Sequence, residues 1–369
     1  PPPQPPPQPP PQPPPQQLPK PRELLKLDCD RQLMTVRFSA CGRMLVAGGY
    51  DASIRRWQWD VEKPVELDGV SGHRGWVSWV EFQPGGELLF SVDTWGRLQA
   101  TRGIAGTPEL AWHHDAAHDG WIRSLSVSDD GQVVVTAGRD RAVRVWSASD
   151  GKLLHELLDQ PTEVFAVAIH PDKSLLVTGD LFGVLRRFEL PGGKCLGETP
   201  VEKMHYYERI QDVGGLRLLR FHDKGRVLIC AGGEPQKTGR AIAIPTIHWL
   251  NWPEMKVEHT ARLGAQNHGF VFDLAWHSGG YWVVVTSGQP GNGQFLLLEP
   301  GAEKPFFTST KMSNCHSVAV HSDGRIVVSA SNRNSQGNGA VRDKMGGYVA
   351  NYSPLHVFAV SDVEKKPSE

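Results

Sequence analysis

The amino-acid sequence predicts an all-β protein: a seven-bladed β-propeller of four-stranded antiparallel blades, its ring closed by an N-terminal strand that completes the last blade. Three observations carry this expectation. Seven segments of the form apolar-x-apolar, each followed by a polar residue or His, end at positions 39, 83, 128, 170, 222, 277 and 321; steps of 44, 45, 42, 52, 55 and 44 residues separate them. After each comes a turn, from Cys41-Gly42 in the first copy to Asp323-Gly324 in the last, and then a second apolar run such as Leu45-Val46 or Val283-Val284-Val285. A unit of that length is a small sheet that cannot cover both of its faces alone, and a ring of such sheets lets neighbours cover one another. The third observation concerns the ends. The last copy stops at a third strand, Leu355-His356-Val357-Phe358, while Glu23-Leu24-Leu25-Lys26-Leu27 upstream resembles the fourth strand Lys152-Leu153-Leu154-His155-Glu156-Leu157. Joining the two removes sheet edges that would otherwise invite aggregation.

In chain order, residues 1–21 are a Pro-Pro-Pro-Gln tract holding 14 of the 29 prolines. Such a tract stays extended and cannot build a core, so it reads as a disordered Pro/Gln-rich spacer. The propeller is expected over 22–362, and 363–369 as a disordered tail. The innermost strands of the seven copies end in Val36-Arg37-Phe38, Val80-Glu81-Phe82, Leu125-Ser126-Val127, Val167-Ala168-Ile169, Leu219-Arg220-Phe221, Leu274-Ala275-Trp276 and Val318-Ala319-Val320. These are β-branched and period-2 runs between Gly and Asp punctuation, which is strand patterning rather than helix patterning.

The clearest copy reads His118-Asp119-Gly120-Trp121, an Asp129-Asp130-Gly131 turn, Val133-Val134-Val135-Thr136, Asp140, and Val143-Arg144-Val145-Trp146. These residues resemble the WD-repeat β-propeller family, and the resemblance covers roughly 24–360. The copies hold little of the Trp-Asp signature and look like divergent, bacterial-style repeats. Gly72-His73 is the one intact Gly-His opening. The resemblance implies a buried hydrogen-bonded group of His118, Thr136, Asp140 and Trp146 in the third copy. The first copy keeps Asp51 and Trp57. The second keeps His73 and Ser91, with Trp95 standing at the expected Asp position.

The formal net charge is −1 and the pI about 7.1, so no global field draws in nucleic acid or an acidic membrane. No run of 18 apolar residues could span a bilayer. The five Cys (29, 41, 195, 230 and 315) match no zinc-site spacing, and Cys230 and Cys315 lie on apolar strands as small hydrophobes. The chain starts with Pro rather than Met. It is expected to be exported or periplasmic if a signal peptide preceded Pro1, and cytoplasmic otherwise. A monomeric propeller is expected.

In the family, the loops joining one blade to the next, and those joining second to third strands, share one face around the channel mouth. Irregular sequence gathers on those loops: Met204–Asp212 before the fifth copy, 232–240 within it, 288–293 in the sixth, and 332–352 in the seventh. Candidate binding residues there are Tyr206, Tyr207, Arg209, Asn332, Arg333, Asn334, Gln336 and Asn338. Trp76, Trp121 and Phe270 precede their inner strands at equivalent places and predict an aromatic rim, with Arg74, Arg123 and Arg209 beside them; large aromatics with Arg are what protein-binding hot spots use. The leading expectation is a noncatalytic scaffold for a protein or peptide, with no cofactor and no metal. The alternative is a small-ligand- or metal-binding propeller enzyme at the channel mouth, using Glu81, Asp273 or the His113, His114, Asp115 and His118 loop.

Overall fold

The computed structural model of the protein describes residues 20–158, 160–190, 192–208, 210–237, 242–289, 291–331 and 340–360. Residues 1–19 of the expected spacer 1–21, the tail 363–369, Arg209, and the loop residues Asn332, Arg333, Asn334, Gln336 and Asn338 lie outside the described residues.

The seven expected blades are present, each a four-stranded antiparallel sheet with strands a to d from the channel outward, in sequence order in blades one to six. Strand a is Leu33–Phe38, Val77–Phe82, Ile122–Val127, Val164–Ile169, Leu216–His222, Phe270–His277 and Ser313–Val320 in blades one to seven. Blade seven takes its fourth strand from the N-terminal side: Pro21–Leu27 pairs antiparallel with Leu355–Val360, Pro21 opposite Val360 and Leu27 opposite Leu355.

Packing follows from the period-2 alternation of the strands. In blade one, Leu45 and Ala47 of Met44–Gly49 point into the seam with blade seven, while Met44 and Val46 point into the seam with blade two. Among the described residues, seven buried apolar clusters each fill one seam between neighbouring blades. Strand b is therefore apolar on both faces, and each fully buried aliphatic side chain there contributes about 1.5–3 kcal/mol.

A second set of contacts ties blades together on the lower face, where the inner strands end. The last anchor residue of one blade reaches the turn glycine of the next: Gln83 Nε2 to Gly131 O (2.8 Å), His170 Nε2 to Gly225 O (3.3 Å), His277 Nε2 to Gly324 O (2.9 Å) and His321 Nε2 to Gly42 O (3.0 Å). The last of these spans the seam where the ring closes. Gly42 sits at φ +72, and a Cβ there would lie 2.4 Å from His321 Nε2, so the turn needs glycine twice over.

Two loop expectations are corrected. Residues 232–235 are not a connection: Val227–Pro235 and Ala243–Asn251 pair over nine positions, so blade five projects beyond the others. Gly232 and Gly233 look like turn residues, but a Cβ on either would meet the Gly215 carbonyl at 2.2 Å or the Phe270 ring at 2.7 Å. They are there for close backbone approach. Likewise 204–212 is not irregular, since His205–Glu208 and Gln211–Gly214 form a hairpin. Ala340–Arg342 and Tyr348–Asn351 form another within the blade-seven connection.

Candidate functional site

Every blade breaks its a–b register near the top of strand a, at Leu33/Thr35, Val77/Trp79, Ile122/Ser124, Val164/Ala166, Leu216/Leu218, Val271/Asp273 and Ser313/Ser317. A bulge re-aims the side chain it carries. Here the skipped positions are Met34, Ser78, Arg123, Phe165, Arg217 and Phe272, together with His316 in the longer break of blade seven. All seven line one cavity of about 270 Å³ at the upper channel mouth.

The cavity is lopsided. Across blades three to six, rings and guanidinium groups alternate: Arg123 lies 3.9 Å from the Trp121 ring and 5.1 Å from Phe165, while Arg217 lies 5.0 Å from Phe165 and 4.1 Å from Phe270. Arg123 is paired with Glu163 at 2.8 Å. Arg217 makes no ion pair or hydrogen bond among the described residues, and its Nε is buried without a partner. Burial, aided by the like charge of Arg123, pushes the Arg217 guanidinium down to about 10. On the other side of the mouth, His316 stands edge-on to Phe272 and hydrogen-bonds Gln32; burial pushes its imidazole down to about 4.

The floor is a charge cluster that plugs the channel. Arg37 Nη1 donates to Asp273 Oδ2 at 2.7 Å and to Ser317 Oγ at 3.0 Å, and Arg37 Nε donates to Glu81 at 3.3 Å. Ser317 Oγ donates to the same Asp273 oxygen at 2.6 Å, and Arg220 approaches Asp273 at 3.9 Å. Burial works against the Arg37 charge, but the two carboxylates outweigh it and hold the guanidinium above its usual value. A separate recess of about 580 Å³ opens below, with Trp79 shared between the two spaces. The upper cavity is thus a blind cup rather than a pore.

The predicted rim residues fall around this cup. Trp121 lines it, Trp76 is 43% exposed and stacks at 4.1 Å on Tyr50, which lines it, and Phe270 lies beneath Arg217. Trp95, 66% exposed, is a further aromatic on this face. Tyr206 and Tyr207 lie on the blade-five hairpin instead. Tyr206 is under Lys237 at 5.0 Å, in a cleft that shares no lining residue with the cup, and Tyr207 is exposed. Glu81 and Asp273 are both engaged by Arg37. His113 faces Asp115 at 3.8 Å, His114 contacts Gly151 O, and His118 turns inward, so the four residues of that loop do not converge. Among the described residues no three His, Cys, Asp or Glu come together as a metal-holding group.

In blade three, His118 Nδ1 meets Asp140 at 2.8 Å, His118 Nε2 meets Thr136 Oγ1 at 2.8 Å, and Trp146 Nε1 donates to Thr136 at 2.9 Å. Burial outweighs Asp140 and keeps His118 below its ordinary value, while its hydrogen bond with His118 overcomes burial and lowers Asp140. Blade two corrects the expectation at Trp95. Asp93, two residues earlier, takes the His73 Nδ1 at 3.1 Å, and His73 Nε2 meets Ser91 at 2.8 Å. Asp93 also accepts the amides of Arg74, Gly75, Trp95 and Arg97, which fixes the rim around Trp76.

The family profile "WD domain, G-beta repeat" matches residues 24–58 and 112–147. In those two stretches the chain carries WD repeats. Each matched stretch begins on an outermost strand and ends on the third strand of the following blade, so the WD repeat is offset by one strand from the structural blade. That offset is what leaves Pro21–Leu27 to finish blade seven. Similar proteins include human apoptotic protease-activating factor 1, 28% identical over 201 residues, or 54% of this chain and 15% of that protein. Transducin beta-like protein 3 of Rattus norvegicus is 27% identical over 181 residues, covering 45% of this chain and 22% of that protein. The small ribosomal subunit protein RACK1 of Drosophila melanogaster is 32% identical over 87 residues, 23% of this chain and 27% of that protein. The chain thus spans a small part of each relative's length. No helix among the described residues is long and apolar enough to cross a membrane.

The cup-lining position lies five residues before each anchor end, and of its seven occupants only Arg123 stood out in the sequence, beside Trp121. Its regularity was present in the spacing: Met34, Ser78, Arg123, Phe165, Arg217, Phe272 and His316 are all five residues before 39, 83, 128, 170, 222, 277 and 321.

Proposed function

We propose that this WD-repeat propeller is a noncatalytic scaffold that takes a protein or peptide segment on its upper face, seated over the cup and held by the aromatic rim of Trp76, Trp121 and Phe270. The observation that carries this is the set of seven bulges, which turns one side chain from every blade into a single blind cavity. A rigid ring presenting such a cup is well suited to an inserted side chain. Aromatic anchors beside arginine are what concentrate binding energy at protein interfaces. The carboxylates and histidines nearest the mouth are already committed to Arg37, Thr136, Asp140 and Gln32, which argues for binding over acid–base chemistry. The blade-five hairpin with Tyr206 and Tyr207 would flank the bound segment; Arg209, Asn332, Arg333, Asn334, Gln336 and Asn338 lie outside the described residues.

The test is display of random linear peptides against the wild-type chain and against Trp76→Ala/Trp121→Ala, after circular dichroism has shown both to be folded. Peptides enriched on the wild type and lost on the variant support the reading. Peptides retained equally by both would remove the upper mouth as the binding face.

A further inference from the structure

We infer that the cup accepts a carboxylate, the side chain of an Asp or Glu in an otherwise apolar peptide segment, and that Arg217 is the residue that receives it. This inference rests on the reading of the upper mouth as a peptide-binding face and names the chemistry of what enters it.

The argument starts from charge. Arg37, Arg123, Arg217 and Arg220 project into the channel or its mouth, facing Asp273, Glu81 and Glu163. Each of these acids already serves another arginine: Asp273 and Glu81 serve Arg37, and Glu163 serves Arg123 with Arg139 at 3.7 Å. Arg220 shares Asp273 at 3.9 Å, so among the described residues of the mouth the cation left without an acid is Arg217.

The placement of Arg217 sharpens this. It is held against Phe165, Phe270 and Phe272 at 5.0, 4.1 and 5.8 Å, so the rings clamp its plane. Ring faces attract a cation but supply no acceptor for its N–H groups. A partly buried guanidinium with an orphaned Nε and no acceptor among the described residues leaves desolvation uncompensated, and a partner carboxylate would compensate it with charge-assisted, fork-shaped hydrogen bonds. A bulge is what puts the side chain there: without the break between Leu216 and Leu218, Arg217 would follow the strand's alternation.

The same observations favour a carboxylate over a phosphate. A single uncompensated positive charge is neutralised by a monoanion, whereas a phosphate near its dianionic form would leave negative charge beside Glu163 and Asp273. The surroundings favour apolar flanks. Trp121, Phe165 and Phe272 wall the cavity, and Trp76 stacked on Tyr50 extends that wall upward.

The experiment uses three display libraries of short peptides, alike except that the central residue is fixed as Glu, Gln or phosphoserine, against the wild-type chain, Arg217→Met and Trp121→Ala. Methionine keeps the volume of the stem between the rings and removes an unpaired charge, so Arg217→Met is expected to unfold at the same or higher urea concentration than the wild type. Peptides selected on the wild type are then synthesised and their affinities measured. The expected result is binding at least about tenfold tighter for the Glu peptide than for its Gln counterpart, the size of one charge-assisted hydrogen bond. That preference should vanish in Arg217→Met while the Gln peptide binds both chains equally. A Glu peptide with no advantage, or an advantage that survives in Arg217→Met, overturns the inference and leaves the peptide-binding face standing. A phosphoserine peptide preferred over Glu overturns the assignment to a carboxylate. Peptides that bind wild type and Trp121→Ala alike sink the face itself, and the inference with it.

Discussion

Replacing Asp273 with Asn tests whether the channel plug holds the ring together. One Asp273 oxygen accepts three hydrogen bonds, from Arg37 at 2.7 Å, Ser317 Oγ at 2.6 Å and Val318 N at 3.2 Å, joining strands of blades one, six and seven across the closing seam. The Asp273 and Arg37 side chains are 3% and 10% exposed, so water can do little to replace what is lost. Removing one partner of a buried pair costs about 3–5 kcal/mol, chiefly because the other charge stays buried. Glu81 still faces Arg37 at 3.3 Å and is itself 33% exposed, which places the expected loss near the lower end, about 3 kcal/mol. In urea, followed by tryptophan fluorescence and far-ultraviolet circular dichroism together, this corresponds to a midpoint lower by about 1 M for a slope near 3 kcal/mol/M. Arg37→Met combined with Asp273→Leu removes both charges and should recover most of the loss, since an apolar pair of similar size is often no worse than a buried ion pair. A single variant whose midpoint moves by less than about 0.2 M, or a double variant worse than either single, would refute the reasoning.

Three further outcomes are expected. Gly42→Ala should cost about 1–3 kcal/mol, because it forces a positive φ on a side chain and drives it into the His321 ring at the closing seam; the urea midpoint measures it, and an unchanged midpoint contradicts the account of that turn. Stability should fall as pH drops from about 6.5 towards 4: burial pushes His248 and His316 down to about 4, so over that range the unfolded chain takes up protons that the folded ring refuses. His248→Gln should flatten part of that slope, and a slope equal to wild type would count against it. Finally, hydrogen bonds from Arg43 and Ser39 push the exposed Cys41 thiol down to about 7, whereas burial pushes Cys315 up to about 12 and raises Cys230 as well. Iodoacetamide followed by mass spectrometry should label Cys41 with a rate that rises through pH 7 and leave those two unlabelled until the chain unfolds.

The blades were legible because the packing problem is repeated. Each inner strand ends in the same apolar-x-apolar pattern, and seven copies of one modest signal add up. Asp93 escaped notice because its role depends on reach rather than register: it lies two residues after Ser91, whereas Asp140 lies four after Thr136, yet both carboxylates arrive at a histidine Nδ1. The cup residues other than Arg123 escaped for a different reason. A bulge suspends the in-out alternation on which strand reading depends, so Arg217 and Phe272 look like ordinary strand positions until the ladder is seen to skip them. The meeting of Arg37 with Asp273, 236 residues apart, is a consequence of ring closure and has no local signature.

The closing strand has a mechanical consequence. Pro21 and Val360 face one another at the same end of an antiparallel pair, so a pull on the two sides of the chain there loads the cross-strand bonds one after another, from Pro21 towards Leu27. Bonds taken singly resist far less than bonds sheared as a set. A ring held shut cooperatively against heat or urea would therefore peel open under a small force applied at that seam, blade seven giving way first.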